Sequence, residues 1–559
     1  MTTHIRNAKF FARNWTLLWA LGFSIVVGIS MWLSQGHLIY TRDDPYIHLS
    51  VAENIIKGGY GVNLTEFSSP SSSILYPLLL SITEFVGLGS IGPLFINSLA
   101  TGLSVWLLLE FFWRYAIPEE TPHWAIFPNA IAPLLILSIN GLALPLTGME
   151  HSLHVLAVLV TLRGLVLISE NGQEEPIPKW LLLAIIVGPL IRFEGMALSG
   201  AAVLALFVQG HRQTAFATGT IIIALICLYG LIMHQLGLPL LPSSVMVKSN
   251  VFTTGTNDSY LINKVYGLVE NLRAAMVNRW GGLFALAIGT LLFMGIKHRK
   301  NLKPTAKSAD TSEGISLRSS ARFSPEFIIG STIGLSLCAH LVAGQYNWFH
   351  RYEVYAVAIL IIGGLYLLRH FFHKLMQARL FLLKTLVLCG LTLLIKPYFI
   401  ATELTPLASR GIYEQQFQMH RFATEFFSKP FAVNDLGWVS YNNDNYVLDL
   451  WGLGSERVRK IRATDKLDTQ TMHKLVQDAN VDYAMVYKQW FTQGIPKSWC
   501  LLATMKTEIV SAAEGSVQFY ATNPAAVPKM HSALDQFSQG LSNRVILERS
   551  TCPAMKVTG

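Results

Sequence analysis

Two adjacent carboxylates, Asp43 and Asp44, follow the first apolar stretch of the chain in the segment YTRDDPYIHLSVAENII. In a water-filled pocket such a pair can divide two tasks, because one carboxylate can take a proton from an attacking hydroxyl group while the other holds a hydroxyl group or a divalent cation. Asp-Asp-Pro is also an ordinary helix start, since Asp caps a helix and Pro suits its first turn. Tyr46 and His48 would belong to the same helix, with His48 on the face of Asp44. The residues alone leave catalysis and capping open.

The composition indicates that membrane helices position these residues. Of 559 residues, 52% are hydrophobic and only 14% are charged, whereas soluble proteins carry roughly 25% charged residues. The net charge of +9 has its excess in three short connections, 1–14, 297–322 and 369–384. Basic residues accumulate on the cytoplasmic side of membrane helices. The charge therefore indicates topology, and we expect no nucleic acid partner.

Nine apolar segments have the length of a membrane span, which needs roughly 20 residues for a hydrocarbon core of about 30 Å. They are 15–35, 91–113, 125–145, 151–169, 213–235, 281–296, 325–344, 353–370 and 380–400. With the basic connections inside, the first outer loop (36–71), segments 236–279 and 345–352, and the C-terminal part lie outside.

Segments 72–88 and 180–209 are ambiguous, because either 72–88 spans and 180–209 is one long helix, or 72–88 lies on the outer surface and 180–209 is a hairpin. Gly188-Pro189 and then Arg192 interrupt the second segment. An arginine at mid-bilayer costs a few kcal/mol or more, and Pro removes a helical hydrogen bond where a turn is needed. We favour the hairpin, which gives about 11 transmembrane helices and places Glu150 outside.

The C-terminal part, 401–559, loses the apolar runs of the transmembrane domain, 1–400, and reads as a small α/β domain. FAVNDLGWVSY, NYVLDLWGL, VDYAMVY and SVQFYAT predict strands, and DTQTMHKLVQDAN predicts a capped helix. Cys500 and Cys552 would form a disulfide if the domain is extracytoplasmic, although their spacing alone does not decide it. Four aromatic residues could stack on sugars or pack in the core: Trp438, Tyr441, Trp451 and Trp490.

The order of motifs resembles the polyprenyl-phosphate-sugar-dependent glycosyltransferases of the GT-C superfamily, and most closely the mycobacterial terminal arabinofuranosyltransferase type. A first helix is followed by Asp-Asp-x-Tyr-Ile, a helix ending in a Gly-rich turn, and a Ser/Pro segment. SINGLALPLTGMEHSLHVLAVL, IRFEGMAL, GLPLLPSSVMVKS and AVNDLGWVSYNNDNYVLDLWGLGS then match family segments in order. Phe193 and Ser243-Ser244 depart from the family pattern, which bears on the sugar and acceptor more than on the reaction class.

The resemblance implies a GT-C fold and an inverting transfer of a sugar, such as an arabinofuranose, from a polyprenyl phosphate to an extracytoplasmic glycan, lipid or protein. It implies a multi-pass protein of the bacterial inner membrane, with a cytoplasmic N-terminus and a periplasmic C-terminal domain. Asp43 would be the base, and Asp44 would orient the acceptor or hold a divalent metal, Mg²⁺ or Ca²⁺. We expect no other cofactor.

Negative charge grows on the leaving phosphate as the glycosyl bond breaks, so cations at that phosphate favour the transition state. The candidates are Lys248, Arg192 and the His350-Arg351 pair. Lys248 could instead be a solvated loop charge, and the pair could be an interfacial anchor. Arg192 could instead form a structural ion pair with Glu194 or Glu150.

A transporter or flippase of a lipid-linked saccharide is the competing prediction, because it would also have many spans and buried charges. Transporters often contain inverted repeats and paired broken helices. We find one interrupted helix and no repeat, and transport does not explain an outer domain of about 150 residues. A non-catalytic scaffold would leave Asp43, Asp44 and the cations unexplained.

Overall fold

A helical bundle precedes a mixed β-sheet along the chain in the computed structural model, which describes residues 2–171, 175–248, 260–301, 323–377, 380–464 and 466–552. The bundle contains α1 (Thr2–Leu33), α2 (Asp44–Ile56), α3 (Tyr76–Phe85), α4 (Gly92–Ala116), α5 (Ile126–Ser138), α6 (His151–Asn171), α7 (Lys179–Ile191), α8 (Gly195–Val208), α9 (Arg212–Gln235), α10 (Ser243–Lys248), α11 (Tyr260–Val277), α12 (Arg279–Asn301), α13 (Pro325–Ala343), α14 (Val354–Leu367), α15 (Arg369–Gln377) and α16 (Phe381–Glu414).

Six of the described helices are long and apolar enough to cross a membrane, namely α1, α4, α6, α9, α13 and α16. Two bent pairs, α11 with α12 and α14 with α15, raise that number to eight if each pair is one span. The remaining apolar helices α5, α7 and α8 are shorter, and each coincides with a predicted apolar segment. The prediction of a multi-pass helical membrane protein is confirmed.

The hairpin predicted for 180–209 is confirmed. Helix α7 ends at Ile191 and α8 begins at Gly195, and the Ser199 hydroxyl donates to the carbonyl oxygen of Ile185 across the pair at 2.7 Å. Helix α3 has 10 residues, which span only about 15 Å. It is therefore too short to cross a hydrocarbon core of about 30 Å.

The segments predicted to lie outside meet at one end of the bundle. The guanidinium of Arg42 donates to the Ser511 carbonyl oxygen at 2.8 Å, and the Asn63 amide exchanges two hydrogen bonds of 2.9 Å with the backbone of Val447. The backbone N–H of Ser243 donates to the carbonyl oxygen of Ser69 at 2.9 Å. The first outer loop thus contacts both the C-terminal domain and the segment after α9.

The C-terminal domain continues directly from the bundle, because α16 runs through residue 401 to Glu414 and is followed by α17 (Gln416–Arg421). Its strands are β1 (Phe431–Val433), β2 (Val447–Asp449), β3 (Tyr483–Val486), β4 (Cys500–Lys506), β5 (Ser516–Ala521) and β6 (Ile546–Arg549), and its helices are α18 (Gly437–Ser440), α19 (Glu456–Ala463), α20 (Thr469–Asp478) and α21 (Val527–Gln539).

The sheet is mixed, with the strand order β2-β1-β3-β5-β4-β6. Strand β1 pairs in parallel with β2 and β3, and the remaining pairs are antiparallel. The four predicted strands correspond to β1, β2, β3 and β5, while β4 and β6 were not predicted. Asp468 caps the predicted helix α20 by accepting from the Thr471 N–H. Cys500 and Cys552 form a disulfide, which confirms that alternative.

The close backbone packing at the tip of the α7–α8 hairpin leads to a stability prediction. A Cβ at Gly195 would overlap the backbone of Gly188, so Gly195→Ala is expected to destabilise the protein by about 1–3 kcal/mol, as overpacking does. The measurement is the melting temperature of the detergent-solubilised protein. Gly200→Ala is the matched control on α8, because a Cβ there meets no heavy atom within 4 Å. Equal melting temperatures for the two variants would contradict this packing.

Candidate active site

A cavity of about 620 Å³ lies between the outer end of the bundle and the α/β domain. The bundle lines it with the segment after α1, with α11 and with the loop between α13 and α14. The α/β domain contributes the turn after β1, the segment after β2 and residues near Trp490 and Ser511. The cavity therefore exists only while the two parts of the chain are in contact.

Asp43 joins the two parts of the chain at this cavity. One carboxylate oxygen accepts from the backbone N–H of Gly437 and the other from that of Trp438, each at 2.7 Å. These N–H groups belong to the start of α18, where helical N–H groups lack partners within the helix. Burial, followed by the nearby charge of Asp435, raises the pKa of Asp43 well above its usual value, while the two N–H groups oppose the shift.

Asp44 faces the cavity and pairs with Arg351, whose Nη2 lies 2.5 Å from Oδ2 of Asp44. The Arg351 side chain is 2% exposed. Its Nη2 also donates to the Tyr352 hydroxyl, but Nε and Nη1 have no hydrogen-bond partner among the described residues. A buried guanidinium with unsatisfied donors is costly, and guanidinium groups bind carboxylates and phosphates through charge-assisted hydrogen bonds.

Arg42, which the sequence analysis did not single out, is a second buried cation on the cavity wall. Its guanidinium donates to the carbonyl oxygen of Ser511 and lies 4.7 Å from the ring centroid of Trp348. Burial and then the charge of Arg351 lower the pKa of Arg42 to about 10, which leaves it charged at neutral pH. Two guanidinium groups near each other repel, so an anion between them would be favoured.

The loop that carries Arg351 has an unusual backbone. Residues 347–350 all have positive φ angles, between 52° and 71°, a left-handed conformation that costs roughly 1–2 kcal/mol per non-glycine residue. Buried Glu353 holds this turn, because one of its carboxylate oxygens accepts from the Asn347 N–H at 3.0 Å and the other lies 2.8 Å from Nδ1 of His350. Predicted His350 thus supports the loop beside Arg351.

Asp435, which follows β1, is a third carboxylate on the cavity wall. Its Oδ2 lies 2.8 Å from the Tyr487 hydroxyl and 3.0 Å from Nε2 of Gln416. In the sequence, Asp435 lies within the family-like segment AVNDLGWVSYNNDNYVLDLWGLGS, in which no role was predicted for this carboxylate. Its position in the turn directly after a buried strand was the available signal, since such turns carry functional side chains.

Arg192, Glu150, Glu194 and His48 form a separate buried cluster. Nη1 of Arg192 contacts Oε1 of Glu150 at 2.6 Å, and the carboxylate of Glu194 receives two bonds from Arg192, of 2.6 and 3.1 Å. The Ser72 hydroxyl donates to Oε1 of Glu150, and Nε2 of His48 lies 3.7 Å from Oε2 of Glu150. Two carboxylates surround this arginine, as a structural ion pair requires.

The ring of Tyr352 separates that cluster from the cavity. The guanidinium carbon of Arg192 lies 5.5 Å from its centroid and that of Arg351 lies 5.0 Å away. Tyr46 is also structural, since its ring packs against Trp438 and its hydroxyl accepts from the Tyr40 N–H. The side chain of predicted Lys248, at the end of α10, lies outside the described residues.

The four aromatic candidates divide into two pairs. Trp438 is buried against Tyr46, and the hydroxyl of buried Tyr441 donates to Glu84 at 2.8 Å. Trp451 and Trp490 line the cavity, with ring centroids 4.5 Å apart. Only the second pair is placed to contact a molecule in the cavity.

The divalent metal predicted at Asp44 stays a prediction. The described residues contain no group of three or more His, Cys, Asp or Glu side chains that could hold a metal ion. Asp44, the predicted ligand, is instead paired with Arg351.

One domain model and two solved structures are similar to this chain. Residues 409–520 match the family model of a domain of unknown function, DUF8728. No curated protein matches the chain. One similar structure is the crystal structure of the Archaeoglobus fulgidus oligosaccharyltransferase in the apo form. The alignment covers 95% of this chain and 76% of the oligosaccharyltransferase chain, at 11% identity and a TM-score of 0.41. A second similar structure is the archaeal oligosaccharyltransferase AglB from Archaeoglobus fulgidus in complex with an inhibitory peptide and a dolichol-phosphate. The alignment covers 96% of this chain and 76% of the AglB chain, at 11% identity and a TM-score of 0.38. Neither is an arabinofuranosyltransferase.

The contact between Asp43 and α18 leads to a stability prediction. A Cβ at Gly437 would overlap the Asp43 carboxylate, so Gly437→Ala is expected to lower the free energy of unfolding by about 1–3 kcal/mol. The measurement is the melting temperature of the full chain in detergent. Gly540→Ala is the control in the same domain, where a Cβ would contact only Arg421 and the Phe537 carbonyl oxygen at distances of 3.6 Å or more. If Gly437→Ala has the same melting temperature as the wild type, the contact between Asp43 and α18 does not stabilise the domain.

Proposed function

We propose that this chain is a membrane glycosyltransferase of the GT-C type, which moves a sugar from a polyprenyl phosphate to an acceptor hydroxyl group in the cavity. The observation that carries the proposal is Arg351, a buried guanidinium with Nε and Nη1 unpartnered among the described residues. It lies beside the acid pair that carries the family resemblance. The finer assignment, an arabinofuranose donor and an extracytoplasmic glycan acceptor, rests on the sequence motifs.

Arg351 and Arg42 would bind the donor phosphate. The phosphodiester of the donor has one negative charge, and the departing phosphomonoester gains a second as the bond to the anomeric carbon breaks. Fixed guanidinium groups at that phosphate stabilise the transition state more than the ground state. Because Asp44 fixes Nη2 of Arg351, the guanidinium charge would stay in one position beside the phosphate.

Helix α11 offers the polyprenyl chain a path from the bilayer. It bends by 95° from α12, so it lies nearly parallel to the membrane plane if α12 crosses the membrane. The cavity is lined by Asn271 and Ala274 of α11 and by Asn278, which follows it. Other side chains of α11 are apolar and exposed, among them Val269 and Met276. One face of α11 can therefore contact lipid while the other contacts the donor head group.

The acceptor would lie on the α/β side of the cavity. Trp451 and Trp490 present aromatic surface there, and the flat apolar face of an aromatic ring suits the C–H face of a sugar. An acceptor glycan on these rings would lie in the same cavity as Arg351.

Charge and redox chemistry support an outer placement of the site. The start of α1, with Arg6 and Lys9, packs beside the end of α4, as the contact between Phe11 and Trp113 shows. This basic end lies opposite the α/β domain, and basic ends face the cytoplasm. The disulfide of Cys500 and Cys552 is typical of an oxidising compartment. We infer that the domain lies in the periplasm of a bacterial inner membrane.

Arg351→Gln tests the phosphate site. Hydrogen bonds to charged groups contribute about 1.5–3 kcal/mol, so we expect the affinity for farnesyl phosphate, used as a short polyprenyl phosphate probe, to fall roughly 10–100-fold. Isothermal titration with the full chain in detergent measures it. Arg457→Gln, at an exposed arginine paired with Asp478, should bind the probe like the wild type. Equal affinities for Arg351→Gln and the wild type would remove the phosphate site.

The wild-type reaction separates transfer from transport. Incubation with polyprenyl-phosphate arabinofuranose and an oligosaccharide acceptor should release polyprenyl phosphate and form a new glycosidic bond, detected by mass spectrometry. A transporter or flippase would leave the donor intact.

Trp490→Ala tests the acceptor surface. Loss of the ring should raise the KM for the oligosaccharide acceptor about tenfold, because one stacking surface is lost, while farnesyl phosphate affinity stays unchanged. Steady-state transfer kinetics measure the KM. Trp124→Ala, at an exposed tryptophan in the segment between α4 and α5, is the control. An unchanged KM for Trp490→Ala would exclude the ring from acceptor binding.

A further inference from the structure

We propose that Asp435, a carboxylate supplied by the α/β domain, accepts the proton of the acceptor hydroxyl group, while Asp43 positions the domain and Asp44 positions Arg351. The assignment rests on the proposed function and identifies the residue that performs its proton transfer.

The hydrogen-bond partners of the three cavity carboxylates differ. Both oxygens of Asp43 accept backbone N–H groups of α18. Asp44 is paired through Oδ2 with the guanidinium of Arg351. Asp435 is held through Oδ2 alone, and its Oδ1 accepts no hydrogen bond from the described residues. Asp435 therefore combines a fixed orientation with an oxygen that can receive a proton.

The side chains that hold Asp435 are themselves fixed. The hydroxyl of buried Tyr487 lies 2.8 Å from Oδ2, and the Tyr487 N–H donates to Oδ1 of Asn434 at 2.9 Å. Gln416, also buried, reaches Oδ2 from α17 at 3.0 Å. Asp435 is thus held by the residue that follows β3 and by α17, as a base must be to stay within reach of its substrate.

The surrounding charges favour proton uptake at Asp435. Burial raises its pKa, the charge of Asp44 raises it further, and the hydrogen bonds from Gln416 and Tyr487 together with the charge of Arg42 oppose the shift. The ionisable groups that face Asp435 from the neighbouring elements are Asp43, Asp44, Arg42, Arg351 and Tyr487. A base works best when its pKa is near the working pH.

The groups that would act on the nucleophile and on the leaving group come from different parts of the chain. Arg351 belongs to the bundle, while Asp435 and the Trp451–Trp490 pair belong to the α/β domain, and all of them line the cavity. An inverting displacement needs the attacking oxygen and the departing oxygen in line on opposite sides of the anomeric carbon. On this proposal, the bundle holds the departing phosphate and the α/β domain holds the attacking hydroxyl group.

The reaction balances with these residues. The acceptor oxygen forms a bond to the anomeric carbon, and its proton passes to Oδ1 of Asp435. The bond between the anomeric carbon and the phosphate oxygen breaks, and its electron pair leaves with the polyprenyl phosphate beside Arg351. Asp435 then returns the proton to water.

Asp435→Asn removes the proton acceptor without changing the size of the side chain. We expect kcat for transfer from polyprenyl-phosphate arabinofuranose to an oligosaccharide to fall about 10²–10³-fold, within the range of general-base catalysis. The Kd for farnesyl phosphate should stay within twofold of the wild type. Asp444→Asn, at an exposed carboxylate of the same domain outside this cavity, should retain the wild-type kcat. All variants are measured as the full chain in detergent.

Tyr487→Phe provides a second variant that keeps the carboxylate. The Tyr487 hydroxyl favours the charged form of Asp435, so its removal raises the pKa of Asp435. Because the base must be deprotonated, kcat falls as pH drops through that pKa. The acidic limb of the profile of kcat against pH should therefore move to higher pH in Tyr487→Phe, which a merely structural role would not produce.

The outcomes distinguish the two proposals. A wild type that binds the donor but transfers nothing would overturn the proposed function and this assignment with it. A wild type that transfers, with Asp435→Asn above a third of its rate, would overturn the assignment alone. So would equal losses of farnesyl phosphate affinity and rate in Asp435→Asn, or an unmoved acidic limb in Tyr487→Phe. A large loss of kcat in Asp43→Asn with unchanged melting temperature would assign the proton transfer to Asp43 instead.

Discussion

The carboxylate of Asp43 at the N-terminus of α18 is the contact on which the geometry of the cavity depends. Its two oxygens satisfy the N–H groups of Gly437 and Trp438, which otherwise would have no helical partner. The bond is charge-assisted, and such bonds are about twice as strong as neutral ones. Since the cavity walls come from both parts of the chain, this contact sets the distance between the walls.

The charges around the cavity follow one rule, which is that a buried ion needs a partner. Arg192 has two carboxylates, and Glu353 is satisfied by the backbone and His350 of the left-handed turn. Arg351 has a partner in Asp44, but its Nε and Nη1 have none among the described residues. On the proposed function, the phosphate of the donor adds a second negative charge beside this guanidinium. The strained turn directly before Arg351 is consistent with a loop held in place to bind that phosphate.

The membrane spans were predictable because length and apolar composition determine them, and the break at Arg192 was predictable because an isolated arginine is costly in lipid. Strand β4 was missed since CLLATMK contains Leu, Ala, Met and Lys, which favour helices, and its place in the sheet is set by pairing with β5 and β6. The acid pair was found from its spacing. Arg42 and Asp435 were not singled out, because their roles arise from contacts that form only in the folded chain, Arg42 with Ser511 and Asp435 with Gln416 and Tyr487.

The turn between β1 and α18 in the α/β domain contributes to both the cavity and the contact between the two parts of the chain. Between the end of β1 and the start of α18, it carries Asp435 into the cavity and presents the Gly437 and Trp438 N–H groups to Asp43. Any movement that lifts the domain from the bundle therefore withdraws the proton acceptor from the cavity at the same moment. On the proposed mechanism, an enzyme whose α/β domain has moved away from the bundle cannot deprotonate water for attack on the lipid-linked sugar. The donor is therefore protected from hydrolysis until the domain contacts the bundle again.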